Sequence, residues 1–146
     1  MTVLRRGITG FDATGRVDFA EFQRKVYAAA HRSGDRVGPA AAAGITPNFH
    51  RAEVRLRDRS FTVICNGTFP VVAFVEGPLA MDDLHFVDVA QFAEHLANFG
   101  FDIATAAELD RPIGADDLEL LGDYEREEAE FWKATRIGQL VFNWWD

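Results

Sequence analysis

Apolar positions along this chain change period several times, and each change marks an element. Phe19, Phe22, Val26 and Ala30 recur at spacings of three and four, which puts them on one stripe of a helix. Asp18-Phe19-Ala20-Glu21 has the form of a capping box, with the Asp carboxylate aimed at the N3 amide and Glu21 reaching back. The pattern predicts a helix from this cap to about Ser33, stopped by Gly34, with Glu21 and Lys25 four apart on its wet side. Residues 34–50 follow with two prolines, three glycines and an Ala run, which reads as a loop or short accessory turn. The period then falls to two: Ala52, Val54 and Leu56 alternate with Glu53, Arg55 and Arg57, as in a strand with one buried face. A second strand spans Phe61 to Cys65 and ends in Asn66-Gly67, a dipeptide suited to a type I′ hairpin turn. Phe69 to Val75 is apolar at nearly every position, which predicts a strand that is central or covered on both faces. The three strands form a meander that Leu84 to Val87 extends.

The second half reads as helical. Asp88-Val89-Ala90-Gln91 has the form of another capping box, and Val89, Phe92, Ala93, Leu96 and Phe99 make a stripe that ends before Gly100. Thr105-Ala106-Ala107-Glu108 starts a short helix that stops before Pro112, and Asp116-Asp117-Leu118-Glu119 starts an acidic one that Gly122 interrupts. Tyr124, Glu128, Phe131 and Trp132 share a helical face, with core packing preferred for Phe131 and Trp132 over a role as further docking anchors. Ile137, Leu140, Val141, Trp144 and Trp145 complete an amphipathic stripe that reaches the penultimate residue. Two adjacent Trp residues are expected to dock that tail, so that deleting it unfolds the protein. The predicted fold class is α+β, one domain over residues 1–146: an N-terminal helix, an antiparallel β-meander, and a helical C-terminal half packed on the sheet.

Composition bounds the class. With 48% apolar and 12% aromatic residues the chain has the material for a core. It has no apolar run of membrane-spanning length, and its start lacks the apolar stretch of a secretory signal, so a cytoplasmic location is expected. A single cysteine, Cys65, fits a reducing compartment.

Charge changes the picture most. Residues 1–60 hold 11 Lys/Arg against 6 Asp/Glu, whereas residues 61–146 hold 4 against 17, giving a net −8. This polarity points to association more than to chemistry. The acidic half opposes nucleic acid and anionic membranes. Within it, Asp116, Asp117, Glu119, Asp123, Glu125, Glu127, Glu128 and Glu130 are opposed by Arg126 alone. Such a run serves either as a solvated helical surface or as a docking face for a cationic partner that offsets its self-repulsion, with Tyr124 as the aromatic anchor among the acids. On the first strand, Arg55 and Arg57 with Arg51 and Arg59 form an outward Arg face. It is read as edge protection, or as a complement to the acidic half that could also pair two copies.

Catalytic and metal chemistry find less support. Cys65 lies within a strand, where an unpaired Cys is usually packing, and a Cys/His pair would need His50, His85 or His95 within hydrogen-bond reach. Asp82, Asp83, His85 and Asp88, followed by Glu94 and His95, are the densest set of metal-ligating types, but turn and cap chemistry accounts for them. The glycines fall singly, so no phosphate-binding loop is present and no cofactor is expected.

The tail from Phe131 to Asp146, FWKATRIGQLVFNWWD and above all its FN-W-D ending, resembles the close of small bacterial proteins, some of which are similar to immunity proteins of polymorphic toxin systems. The resemblance implies a cytosolic, non-enzymatic inhibitor that covers a toxin's active site, acidic where the toxin is basic. It carries over no inhibitory residue. The sequence-level expectation is a protein-binding module of this kind, docking a cationic toxin domain through the segment from Asp116 to Glu130. The alternatives are a dimeric chaperone-like binding protein of secretion systems, or a small enzyme using Cys65 or the Asp/His group.

Overall fold

The computed structural model describes residues 2–77, 79–80 and 83–146. Its elements run α1 (Phe19–Ser33), β1 (Arg36–Ala41), β2 (Phe49–Arg55), β3 (Ser60–Asn66), β4 (Val71–Val75), β5 (Phe86–Val87), α2 (Ala90–Asn98), β6 (Asp102–Ile103), α3 (Ala106–Asp110), α4 (Ala115–Glu119), α5 (Asp123–Phe131) and α6 (Ile137–Val141). The fold is α+β, as the periodicity predicts. Asp18 caps α1 by accepting from the Glu21 amide, and Gly34 closes it in the left-handed conformation. No helix among the described residues is long and apolar enough to cross a membrane.

Strands β1 to β5 pair in sequence order, all antiparallel, and β6 adds to β4 in parallel. The sheet carries a core on each side. Val72 and Phe74 of β4 join Ala52, Val54, Phe61, Val63 and Cys65 against α1 and α2. Val71, Ala73 and Val75 face the other way, into a core with Phe49, Ile64 and buried residues of α3, α5, α6 and both terminal segments. All five residues of β4 are buried, as expected of a strand covered on both faces. The C-terminal helices thus divide between the layers, α2 beside α1 and the rest opposite.

Several local expectations are corrected. Residues 34–50 are not only loop: β1 pairs with β2, interrupted by an irregularity between Val37 and Ala40 where Gly38-Pro39 sits. Pro39 lacks an amide hydrogen and is tolerated because β1 lies at the sheet edge. That leaves β2 inside the sheet, so its arginines do not protect an edge. Asn66-Gly67 forms no type I′ turn. Asn66 is buried and its Oδ1 accepts from the amides of Thr68 and Phe69, while Gly67 packs where a Cβ would lie 2.7 Å from the Asn48 carbonyl oxygen. Asp88 does not cap α2. Val89 holds the N-cap position without a side-chain bond, and Asp88 instead accepts from the Ala106 amide at the start of α3. The last helix stops at Val141, and residues 142–146 leave it with Phe142 in an extended conformation; Trp145 is buried and Trp144 partly so. Phe131 is not core, being 74% exposed.

Candidate functional site

The acidic stretch occupies α4, the turn at Gly122 and α5, and the fold sorts its carboxylates into two groups. Glu125 is fully buried. It is the N3 residue of α5 and accepts from the amides of Gly7 (2.7 Å), Thr9 (3.0 Å) and Gly122 (3.0 Å) and from the Thr9 hydroxyl. A buried carboxylate is tolerable only when so fully bonded. Asp117 is also buried, held by a two-pronged pair with Arg111 (2.9 and 3.0 Å) and by the Gly114 amide (2.7 Å). The Arg111 guanidinium, aided by the Gly114 amide, holds its carboxyl below the usual carboxylate range. Both acids belong to the scaffold, so neither contributes to an outer docking face.

Asp116, Glu119, Asp123, Tyr124, Glu127 and Glu130 remain exposed, and Glu128 is half-buried with its carboxylate accepting from the Trp132 indole. Arg126, the only cation of the run, turns toward the carbonyls of Leu118 and Leu121 at the end of α4 and also pairs with Asp123. Asp116, Glu119, Glu127 and Glu130 have no ion-pair partner among the described residues.

Apolar groups surface among these acids. Leu120 (44% exposed), Tyr124 (48%) and Phe131 (74%) are three of the five large apolar side chains exposed among the described residues, and all three lie between Asp116 and Trp132. Tyr124, Glu127 and Phe131 follow at spacings of three and four, so they share one side of α5, away from Glu125 and Ala129. Tyr124 is braced edge-on by Phe11, with ring centroids 5.4 Å apart. A surface cleft of about 470 Å³ continues this side toward α4, bounded by Glu119, Leu120, Asp123, Tyr124, Asp12 and Arg6.

The remaining candidates resolve differently. His50 is the direct cross-strand partner of Cys65, the juxtaposition a Cys/His pair would require. Yet His50 Nδ1 accepts from the Ala43 amide (2.8 Å) and Nε2 faces the Val17 carbonyl (2.7 Å), so Nε2 carries the proton and both nitrogens are committed. Its ring also stacks on Phe22. Cys65 is fully buried, and that burial pushes its thiol well above the ordinary range, away from the reactive thiolate. Of the Asp/His group, Asp82 lies outside the described residues, and no set of three or more His, Cys, Asp or Glu that could hold a metal occurs among those described. Arg51, Arg55, Arg57 and Arg59 do not pair with the acidic stretch. Arg55 bonds Glu53 on its own strand (3.0 Å) and Arg59 lies over the Phe61 ring.

Sequence reading missed a polar lock. Asn48, Asn66 and Asn143 are all buried. Asn48 Nδ2 donates to the carbonyls of Ile8, Thr9 and Val141, and Asn66 Nδ2 to those of Ile8 and Val141. Asn143 Nδ2 donates to Thr9 and Leu140, while its own amide donates to Asn48 Oδ1. The signal available was Asn143 itself, one amide inside the apolar tail VFNWW. A concavity of about 620 Å³ opens beside this lock, walled by Phe11, Phe19, Ala43, Ile45, Thr68 and Trp145. It includes none of the acidic stretch.

Comparison with known proteins finds no match, whether to a protein-family model, a curated protein or a solved structure.

Proposed function

We propose that this chain is a protein-binding module that docks a basic protein domain on the exposed side of α4 and α5, and that it acts as an immunity protein inhibiting a cationic toxin domain. The observation that carries this reading is the placement of Leu120, Tyr124 and Phe131 among unpaired carboxylates. A solvated acidic helix needs no exposed aromatics. Apolar anchors ringed by charge are what a specific interface requires, because the charges steer and orient while the desolvated anchors supply most of the affinity. Glu125 and Asp117 support the same reading indirectly, since Glu125 fixes α5 to the N-terminal segment and Asp117 fixes the start of α4 to Arg111, which keeps this surface rigid before binding.

The test uses the basic product of the adjacent gene, with affinity measured by calorimetry across a salt series. Tight binding at low salt is expected to weaken steeply with ionic strength, and Glu127→Lys with Glu130→Lys, or Tyr124→Ala alone, is expected to cost about tenfold or more. Binding indifferent to salt and to all three substitutions would remove this surface as the docking site.

A further inference from the structure

The helices do not cover the sheet evenly. Side chains alternate along β2, so Phe49 enters the core beneath α3, α5 and α6, whereas Arg51, Glu53 and Arg55 on the same side stay at least partly exposed. Strand register widens this open face: Arg36 of β1 stands directly opposite Arg55, and Thr62 of β3 opposite Glu53. Gly38 lets the Glu53 and Arg55 side chains lie across β1, where their atoms come 3.4 to 3.5 Å from the place its Cβ would take. The patch therefore presents three guanidinium groups against one carboxylate. A shallow hollow of about 370 Å³ adjoins it, bounded by Arg51, Glu53, Ser60 and Thr62 with Leu79 at its rim.

Like charges placed directly opposite each other across a strand pair cost stability. Arg36 and Arg55 do so here, and the Arg55 side chain is 61% exposed with its one ion pair on its own strand. The acidic side of α4 and α5 is equally unmatched. Among the described residues a single ion pair, Arg5 to Asp102 at 3.6 Å, joins the basic first 60 residues to the acidic remainder. Two complementary surfaces on one chain thus leave each other unpaired.

We infer that the open Arg-bearing face of β1 to β3 docks the acidic side of α4 and α5 of a second copy of this chain. Charge complementarity argues for that occupant, and so does the anchor chemistry. The sheet face offers Arg stems and planar guanidinium groups, while the helices offer Tyr124 and Phe131, the aromatic faces on which guanidinium groups stack. A nucleic acid fits less well, because among the described residues none of the large exposed apolar side chains lies on the sheet face to stack a base. The contact joins two different surfaces, so it either closes a pair through two such contacts at once or adds copies head to tail. This inference needs no toxin, although a basic partner would compete with the second copy for the same helices.

Sedimentation velocity of the full chain, over a concentration series at low and high salt, tests it. Average mass is expected to rise with concentration at low salt and to return to the monomer near about 0.5 M salt, where charge interactions are screened within a few ångströms. Arg51→Glu with Arg55→Glu, and separately Glu127→Lys with Glu130→Lys, should each weaken self-association about tenfold or more; an equal mixture of the two variants should associate again. Arg51→Gln with Arg55→Gln gives a gentler version of the first variant, and thermal melts establish that each variant is folded. A protein that stays monomeric at low salt overturns the proposal. So does a face variant that associates like the parent, or a mixture of folded variants that does not associate. The Arg51 and Arg55 variants keep the acidic side intact, so their binding to a basic partner reports separately on the proposed function.

Discussion

Glu125 has no exposed surface, yet it sits in the most acidic part of the chain, where sequence alone assigns it to the same task as its neighbours. The difference lies in which side of α5 it occupies. Leu121, Ala129 and Trp132 bracket it at spacings of four, four and three, so the buried stripe passes through a carboxylate. Four donors converge on its two oxygens. Glu125→Gln keeps the shape but replaces one acceptor with a donor group that faces amide hydrogens; a loss of about 2 to 4 kcal/mol is expected, read from urea denaturation midpoints. Asp117 makes a pH-dependent contribution instead. Its folded-state carboxyl is held below the ordinary value, chiefly by the Arg111 bond. The stability it provides is therefore fully present above the unfolded value of about 4 and is lost as pH falls through the lower folded value. Asp117→Asn should lower the urea midpoint at pH 7, and the gap to the parent protein should narrow at pH 3. A gap of constant size would show that ionisation of Asp117 is not what stabilises the turn.

At the scale of elements, what the sequence discloses depends on whether an element's stability is local. Helix α1 is legible because its cap, stripe and left-handed Gly34 are all written within 17 residues, and β3 and β4 because their apolar runs are long and bounded. The misreadings share one cause, a local rule overridden by a distant partner. Asp88-Val89-Ala90-Gln91 looks like a cap for its own helix, but the carboxylate bonds Ala106, 18 residues on. β1 escapes notice because Gly38-Pro39 breaks its period while β2 supplies the pairing. Asn66-Gly67 signals a hairpin, whereas Gly67 is required for a different reason: its amide donates to the Asn48 carbonyl at 2.8 Å, and backbone lies where a Cβ would be. Gly67→Ala should consequently cost about 1 to 3 kcal/mol through forced separation of those segments, not through a turn conformation. Its thermal midpoint checks this. A neutral outcome would mean that the loop moves aside freely. The proposed docking surface was legible as composition, in the run of acids with Tyr124, but the burial of Asp117 and Glu125 and the exposure of Leu120 and Phe131 depend on how α4 and α5 lie on the rest of the protein.

On the scale of the whole molecule, the two ends of the chain fold as one unit. The segment around Ile8 and Thr9 is bonded to Asn48, Asn66 and Asn143, and through Glu125 to α5. The tail is bonded to Asn48, the residue before β2, and packs Phe142 and Trp144 edge-on against Phe49. A periodicity of 3.6 accounts for Trp144 and Trp145 as a helical stripe, but the chain there is no longer helical, and their burial comes from insertion beside β2 and the N-terminal segment. The three Asn side chains are bonded to backbone groups, which fixes position more sharply than apolar contact does. Removing one member leaves buried partners short of bonds: Asn143→Ala strands the Trp145 amide and takes a donor from the carbonyls of Thr9 and Leu140, for an expected loss of about 2 to 4 kcal/mol. Because both ends share that lock, deleting residues 2–11 should be as damaging as deleting residues 142–146, even though only the second deletion removes Trp. Either truncation is expected to abolish the cooperative urea transition that Asn143→Ala merely shifts. If the N-terminal truncation instead unfolded cooperatively near the parent's midpoint, the tail would be held by its aromatic packing alone, and the lock would be an accessory to it.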